Sequence, residues 1–185
     1  MIVLGVDPGT LITGYGIIES TPTSREKIKV LAHGAIKNTS NSSMPLRLKR
    51  IFDVLSETIA QYRPDELAIE TAFYGKNAQS ALKLGHARGV AILAAVSKQI
   101  PTSEYSPREV KKAIVGKGNA SKQQVQFMVK SLLHLKEAPK HYDITDALAV
   151  AVCHLHRTVT RRTTFKSWKS YLAAHPEKLA STRMK

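Results

Sequence analysis

The feature that most constrains this chain is its first segment, Ile2-Val3-Leu4-Gly5-Val6, an unbroken apolar run rich in β-branched residues and closed by Asp7-Pro8-Gly9-Thr10. Apolarity without alternation over so few residues fits a strand buried on both faces, and the Pro-Gly pair ends it in a turn. A strand of that kind lies inside a sheet with layers on either side. The chain therefore has to build a covered sheet and set an acidic side chain at the end of one of its inner strands. Two more β-prone segments, Gly14 to Glu19 and Ile28 to Ile36, flank the polar stretch Ser20 to Glu26, which predicts a three-stranded antiparallel meander.

Beyond a polar loop at Asn38 to Ser43 the period changes. Leu46, Leu48, Ile51, Phe52, Leu55 and Ile59 recur near helical spacing, with Pro45 suited to the first turn and Pro64 marking the end. Leu67-Ala68-Ile69 reads as a short strand ending at Glu70, and a long helix over Asn77 to Gln99 is stopped by Pro101. Thr102 to Tyr105 offers a fifth strand, Ser106-Pro107 a helix start, Ser121 to Leu135 an amphipathic helix, and Asp143 to His156 a last helix. Ala147, Ala149 and Ala151 suit that last helix to close packing on a sheet. This order predicts an α/β fold, a mixed five-stranded sheet flanked by helices, without internal repeats.

Charge narrows the function. The 185 residues carry 28 Lys and Arg against 14 Asp and Glu, a net charge of +14 with a pI near 10.0. That balance is the electrostatic footprint of a protein that neutralises phosphates, although an anionic membrane surface would attract it as well. Asp7 interrupts the first apolar run far short of a secretory leader, and no run approaches the roughly 18 apolar residues of a membrane span, so a cytoplasmic location without membrane contact is expected. Cys153 is alone and lies in an apolar stretch, where a buried structural thiol is expected; no zinc-ligand spacing exists. We expect one globular domain over residues 1–156 and a basic C-terminal tail over 157–185, mobile and carrying eight basic residues against Glu177 alone.

Few acids are available, and four of them sit at element ends. Asp7 and Glu70 each follow a short apolar strand, so if those strands are parallel neighbours both carboxyls emerge at the carboxyl-terminal edge of the sheet, where open α/β sheets bind ligands. Asp143 and Asp146 are three apart and share one face of a helix. Ordinary roles compete for each residue alone: a helix cap for Asp143, a dipole partner for Asp146, a turn residue for Asp7, a solvated end for Glu70. If all four converge, their repulsion, about 4 kcal/mol for two unit charges 4 Å apart at an effective dielectric near 20, calls for divalent cations. Carboxylate oxygens select hard ions such as Mg²⁺, and a pair of them drives water against a phosphodiester without any Ser, Cys or His nucleophile.

In ordered combination these motifs resemble the RuvC family of Holliday-junction resolvases, which have the ribonuclease H-like fold. The resemblance runs over most of residues 1–156. It is carried by Ile2 to Gly9 with Thr13-Gly14-Tyr15-Gly16, by Ile69-Glu70 with Phe73 and Lys76-Asn77, and by Ser80 to Gly85 leading into Ala87 to Ala91. Val115-Gly116 through Lys122 and Gln124-Val125, then Asp143 and Asp146 to Ala149, complete it. The resemblance implies a homodimer that binds a four-way DNA junction and nicks it symmetrically in strands of like polarity, working with the branch-migration proteins RuvA and RuvB. It implies Asp7, Glu70, Asp143 and Asp146 as catalytic and metal-binding acids, two Mg²⁺ ions per active site with Mn²⁺ as a substitute, and Phe73 as a junction-inserting aromatic. The helix containing Gly85 and Gly89 is its expected dimer interface, though intrachain packing would also explain two small residues four apart.

Tyr74 is a candidate DNA contact, although a core aromatic packed under the loop competes for it and for Phe73, and Lys111 and Lys122 match basic positions beside the family's active site, where an ammonium holds the scissile phosphate. Lys76, Lys83, Arg88, Lys112 and Lys117 are weaker candidates for DNA backbone contacts, for which a solvated surface charge is at least as good an account. His141, two residues before Asp143, is expected to be a solvent-exposed histidine. Three other functions fit parts of the pattern: a related nuclease acting on structured RNA, a non-catalytic junction-binding protein, and an actin-like ATPase, for whose two-lobed cleft the chain is too short.

Overall fold

The structure is a computed structural model that describes residues 1–20, 28–71 and 78–163. The expected meander is present as β1 (Ile2–Asp7), β2 (Ile12–Ser20) and β3 (Ile28–Lys37), followed by α1 (Met44–Tyr62), β4 (Glu66–Glu70), α2 (Ala78–Val96), β5 (Thr102–Tyr105), α3 (Pro107–Val115), α4 (Lys122–Leu132) and α5 (Tyr142–Thr163). The strands form one mixed sheet in the order β3-β2-β1-β4-β5. β1 is antiparallel to β2 and parallel to β4, and β4 is parallel to β5. β1 is thus the central strand that its unbroken apolarity demands.

Strand alternation divides the core into two layers. Leu4, Val6, Leu67 and Ile69 point to the face covered by α1 and α2, where Ile51, Leu55, Ile59, Ala91 and Ala95 meet them. Val3 and Ala68 point to the other face, against Leu148, Ala151 and Val152 of α5 and Val125 and Val129 of α4. The buried thiol of Cys153 belongs to this second layer, as expected.

Local signals fix the helix ends. Ser106 and Ser121 each form a reciprocal capping box, with Glu109 and Gln124, so α3 and α4 start where the side chains satisfy the first free amides. Gly116 closes α3 at φ 82°, a left-handed position that glycine adopts without strain. Three helix ends differ from expectation: α2 stops at Val96 rather than Gln99, α4 at Leu132 rather than Leu135, and α5 runs on. α5 continues to Thr163, through the composition change at residue 157, because arginines and threonines extend a helix already nucleated by its buried half. The rest of the expected tail lies outside the described residues, and among the described residues no helix is long and apolar enough to cross a membrane.

Candidate active site

The parallel pairing of β1 with β4 aligns Val6 with Ile69, so Asp7 and Glu70 close adjacent strands side by side. Neighbouring strands lie about 4.8 Å apart. Counting back along each strand, Asp7 shares its face with Gly5 and Val3, and Glu70 with Ala68 and Glu66. Both carboxyls therefore belong to the face under α5.

Glycine brings α5 down onto that face. Asp7 pairs with Gly14 and Gly5 with Gly16 across the β1–β2 ladder. A Cβ on Gly14 would collide with the carbonyl of Asp143 and lie 2.9 Å from the Ile144 amide nitrogen; one on Gly5 would collide with the carbonyl of Ala147 and lie 2.8 Å from the Ala151 Cβ. The helix backbone rests directly on the strands, and its first turns carry Asp143 and Asp146 to the place where β1 ends. Buried Thr13 holds the turn after Asp7, its Oγ1 donating to the Gly9 carbonyl at 2.6 Å and accepting from the Gly9 amide at 3.3 Å. Beyond Glu70, the Thr71 amide and hydroxyl both donate to the Tyr105 carbonyl, at 2.8 and 3.2 Å.

The acids perturb one another strongly. Burial, with Glu70, Asp146 and Asp143 nearby, pushes Asp7 from 3.8 up to about 8, against the opposing pull of Lys122. Burial and then Asp146 push Glu70 from 4.5 up to about 7, with Lys122 and Lys111 opposing. Asp146 is also raised by burial, less so for its neighbour Lys122 and more so for Asp143. Burial works against the charged form of Lys122, yet Asp146, Asp7 and Asp143 outweigh it and hold the ammonium above its ordinary value. Its Nζ lies 3.4 Å from Asp146 Oδ2 and 5.8 Å from the centre of the Tyr142 ring.

Asp7, Glu70, Asp143 and Asp146 thus act as one electrostatic unit, facing Lys122 and Lys111. Among the described residues no three His, Cys, Asp or Glu side chains already surround a point where an ion would sit. The donors nonetheless suit a hard divalent cation. All four offer only carboxylate oxygen, and a cation would relieve the crowding that keeps protons on Asp7 and Glu70 near neutral pH.

The other candidates fare unequally. Phe73, Tyr74 and Lys76 lie outside the described residues. Lys83 is exposed on α2, away from any hydrogen bond or ion pair among the described residues, and Lys112 and Lys117 are exposed beyond the carboxylates. Arg88 is ion-paired with Glu104, so its charge is already engaged within the chain. His141 is half-buried rather than exposed, because the chain turns into α5 there and its carbonyl accepts from the Ile144 amide at 3.2 Å. Among the described residues nothing lies within 4 Å of a Cβ built at Gly85 or Gly89, so no described neighbour packs against them.

Two supports of the site escaped the sequence. The glycine seat under α5 could have been found by matching Gly5, Gly14 and Gly16 to Ala147 and Ala151. The other is a buried polar link: His154 of α5 is 2% exposed, with Nδ1 2.8 Å from the Tyr105 hydroxyl and Nε2 2.9 Å from Glu66 Oε2. It ties α5 to β4, the strand that ends in Glu70, and to its neighbour β5, across separations that no local pattern reveals.

The chain is similar to known proteins. The family model described as crossover junction endodeoxyribonuclease RuvC matches residues 3–154. The RuvC of Shewanella pealeana is 56% identical over 155 residues, covering 84% of this chain and 87% of that protein. The RuvC of Desulforamulus reducens is 49% identical over 154 residues, covering 83% and 93%. Among solved structures, T. thermophilus RuvC in complex with Holliday junction substrate superposes with a TM-score of 0.81 at 32% identity, covering 86% of this chain and 96% of that one.

Proposed function

Because the chain belongs to the RuvC family of crossover junction endodeoxyribonucleases, we propose that it is a cytoplasmic, metal-dependent endonuclease that resolves four-way DNA junctions as a homodimer, alongside RuvA and RuvB. The observation that carries this is the gathering of Asp7, Glu70, Asp143 and Asp146 at one sheet edge in a chain of net charge +14. A cluster that keeps Asp7 protonated to about pH 8 is costly for a merely structural site. It is the expected state of a site built to work with cations bound.

Asp7, Glu70, Asp143 and Asp146 would hold the divalent ions, Mg²⁺ or Mn²⁺. When bound, two such ions supply Lewis-acid activation and charge neutralisation for in-line attack on a phosphodiester. The protein's own part is positional. β1, β4 and α5 fix the carboxylates, and the Lys122 and Lys111 ammonium groups lie where they can hold the non-bridging oxygens of the scissile phosphate as charge develops. Water adds to phosphorus, the sugar oxygen leaves, and one strand is nicked. Phe73, which follows Glu70, stacks on bases opened at the branch point.

Paired nicks need two sites, and α2 offers the means to bring them together. Leu82, Leu93 and Val96 are 62%, 55% and 56% exposed, and with Gly85 and Gly89 they recur at three- and four-residue spacing along one stripe. Two copies packing these stripes together would bury the apolar side chains, with the glycines letting the backbones approach.

The test is nicking of a synthetic four-way junction with and without Mg²⁺, beside a linear duplex and an RNA hairpin. Wild type should nick the junction only with metal, while Glu70→Gln should lose about 100-fold or more in rate and still bind. Preference for either control substrate, or binding without any nicking, would overturn the assignment.

A further inference from the structure

The sheet edge that ends in Asp7 and Glu70 does not stop there. Gly14, the partner of Asp7, lies two residues into β2, and Ile12 at the start of β2 pairs with Lys37 at the end of β3. Lys37 therefore stands on the same edge, two strands from Asp7. Beyond it is a hollow of about 300 Å³ lined by Lys37, Asn38, Thr39, Lys49 and Arg50 among others.

This hollow is built rather than incidental. The Asn38 side chain donates to the carbonyls of Thr10 at 3.1 Å and Arg47 at 3.3 Å, and the Asn38 amide donates to the Leu11 carbonyl at 2.8 Å. Arg47 spans the loop, donating to the carbonyls of Ser42 at 2.8 Å and Ser40. The loop is thereby fastened to the turn that follows Asp7. Charge in the hollow is uneven: Lys49 is ion-paired with Asp53 at 2.6 Å, whereas Lys37 and Arg50 are exposed and have no ion pair among the described residues. Asn38 and Thr39 spend their hydrogen bonds on holding the loop, so the attraction for an anion with several acceptor oxygens comes from the two uncompensated cations, Lys37 and Arg50.

We propose that the hollow formed by Lys37, Asn38, Thr39 and Arg50 is a second DNA site, which takes a backbone phosphate on the strand being nicked. Two strand spacings and a two-residue offset along β3 place the Lys37 backbone on the order of 12 Å from that of Asp7, a span of a few nucleotides along one strand. Holding that phosphate fixes the direction in which the strand crosses the carboxylates. The role rests on the junction-nicking activity proposed above and deepens it.

The test uses the full chain and a fluorescent synthetic four-way junction with methylphosphonate replacing single phosphates at two to four nucleotides on either side of the nicked bond. Binding is measured in a salt titration without divalent metal, and wild-type Mg²⁺-dependent nicking is measured in parallel. Lys37→Gln and Arg50→Gln should each weaken binding about 3- to 10-fold and lower the salt slope by about 1, with melting temperature unchanged. Lys29→Gln, at the opposite end of β3, should do neither. One methylphosphonate position should reproduce the loss with wild type and add nothing to it with Lys37→Gln. If wild type nicks the junction but Lys37→Gln matches wild type or Lys29→Gln, or if the neutral phosphate and Lys37→Gln add independently, the second site is overturned. Wild type that fails to nick the junction with Mg²⁺ overturns the resolvase assignment, and with it the site.

Discussion

Neutralising Asp7 should stabilise the metal-free protein while destroying its activity. Moving the carboxyl from 3.8 to about 8 disfavours its ionised folded form by about 5 to 6 kcal/mol, at about 1.4 kcal/mol for each tenfold change in proton affinity. The folded state keeps this proton up to about pH 8, while the unfolded chain releases it near 3.8. Folded protein therefore binds more protons across that window, and stability falls as pH rises through it. Asparagine resembles the protonated acid in shape and polarity and has no proton to lose. Water and monovalent cations entering the edge relieve part of the cost, so Asp7→Asn should gain about 1 to 3 kcal/mol at pH 8, roughly 3 to 10 °C in melting temperature for a chain of this length. At pH 5 the gain should fall to about a third of that, since most of the window lies above. Thermal unfolding in a chelating buffer at both pH values measures this, and added Mg²⁺ should raise wild type more than the variant. An equal or lower melting temperature for Asp7→Asn at pH 8, or the same gain at both pH values, would refute the crowded-carboxylate account.

Gly14→Ala places a methyl group against the Asp143 carbonyl, so it should cost about 1 to 3 kcal/mol and reduce nicking out of proportion to the unfolded fraction; denaturant melts and rates on the same preparations test both. Tyr105→Phe removes the hydroxyl that meets His154 and should cost about 1 to 2 kcal/mol by urea unfolding, with junction affinity unchanged. Lys122→Met should slow nicking about 10- to 100-fold, and Lys122→Arg should recover part of that in single-turnover rates if position and charge both matter.

Much of this architecture is written locally. The uninterrupted apolar run of β1 marks it as central, the capping serines at 106 and 121 start their helices, and each acid of the site ends a strand or opens a helix. What local pattern cannot supply is adjacency. Whether β4 lies beside β1 in parallel depends on how the α1 crossover packs, and only that pairing brings Asp7 and Glu70 together. The glycine seat relates β1 and β2 to a helix well over a hundred residues away, so each glycine by itself resembles a weak strand residue. The Tyr105–His154–Glu66 link and the hollow at Lys37 and Arg50 are products of tertiary packing, and their residues look like ordinary polar positions in the chain. The end of α5 departs from its sequence signal for the opposite reason: composition changes at residue 157, but the hydrogen-bonded helix continues to Thr163.

The most direct measurement is a Mg²⁺ titration of strand cleavage on a four-way junction, with wild type, Asp7→Asn, Glu70→Gln and Asp146→Asn compared at equal junction occupancy. Nicks that require metal in wild type and vanish in all three variants, with binding retained, are the predicted result. Metal-independent nicking, or full activity in any one of the three, would contradict a catalytic centre made from these carboxylates.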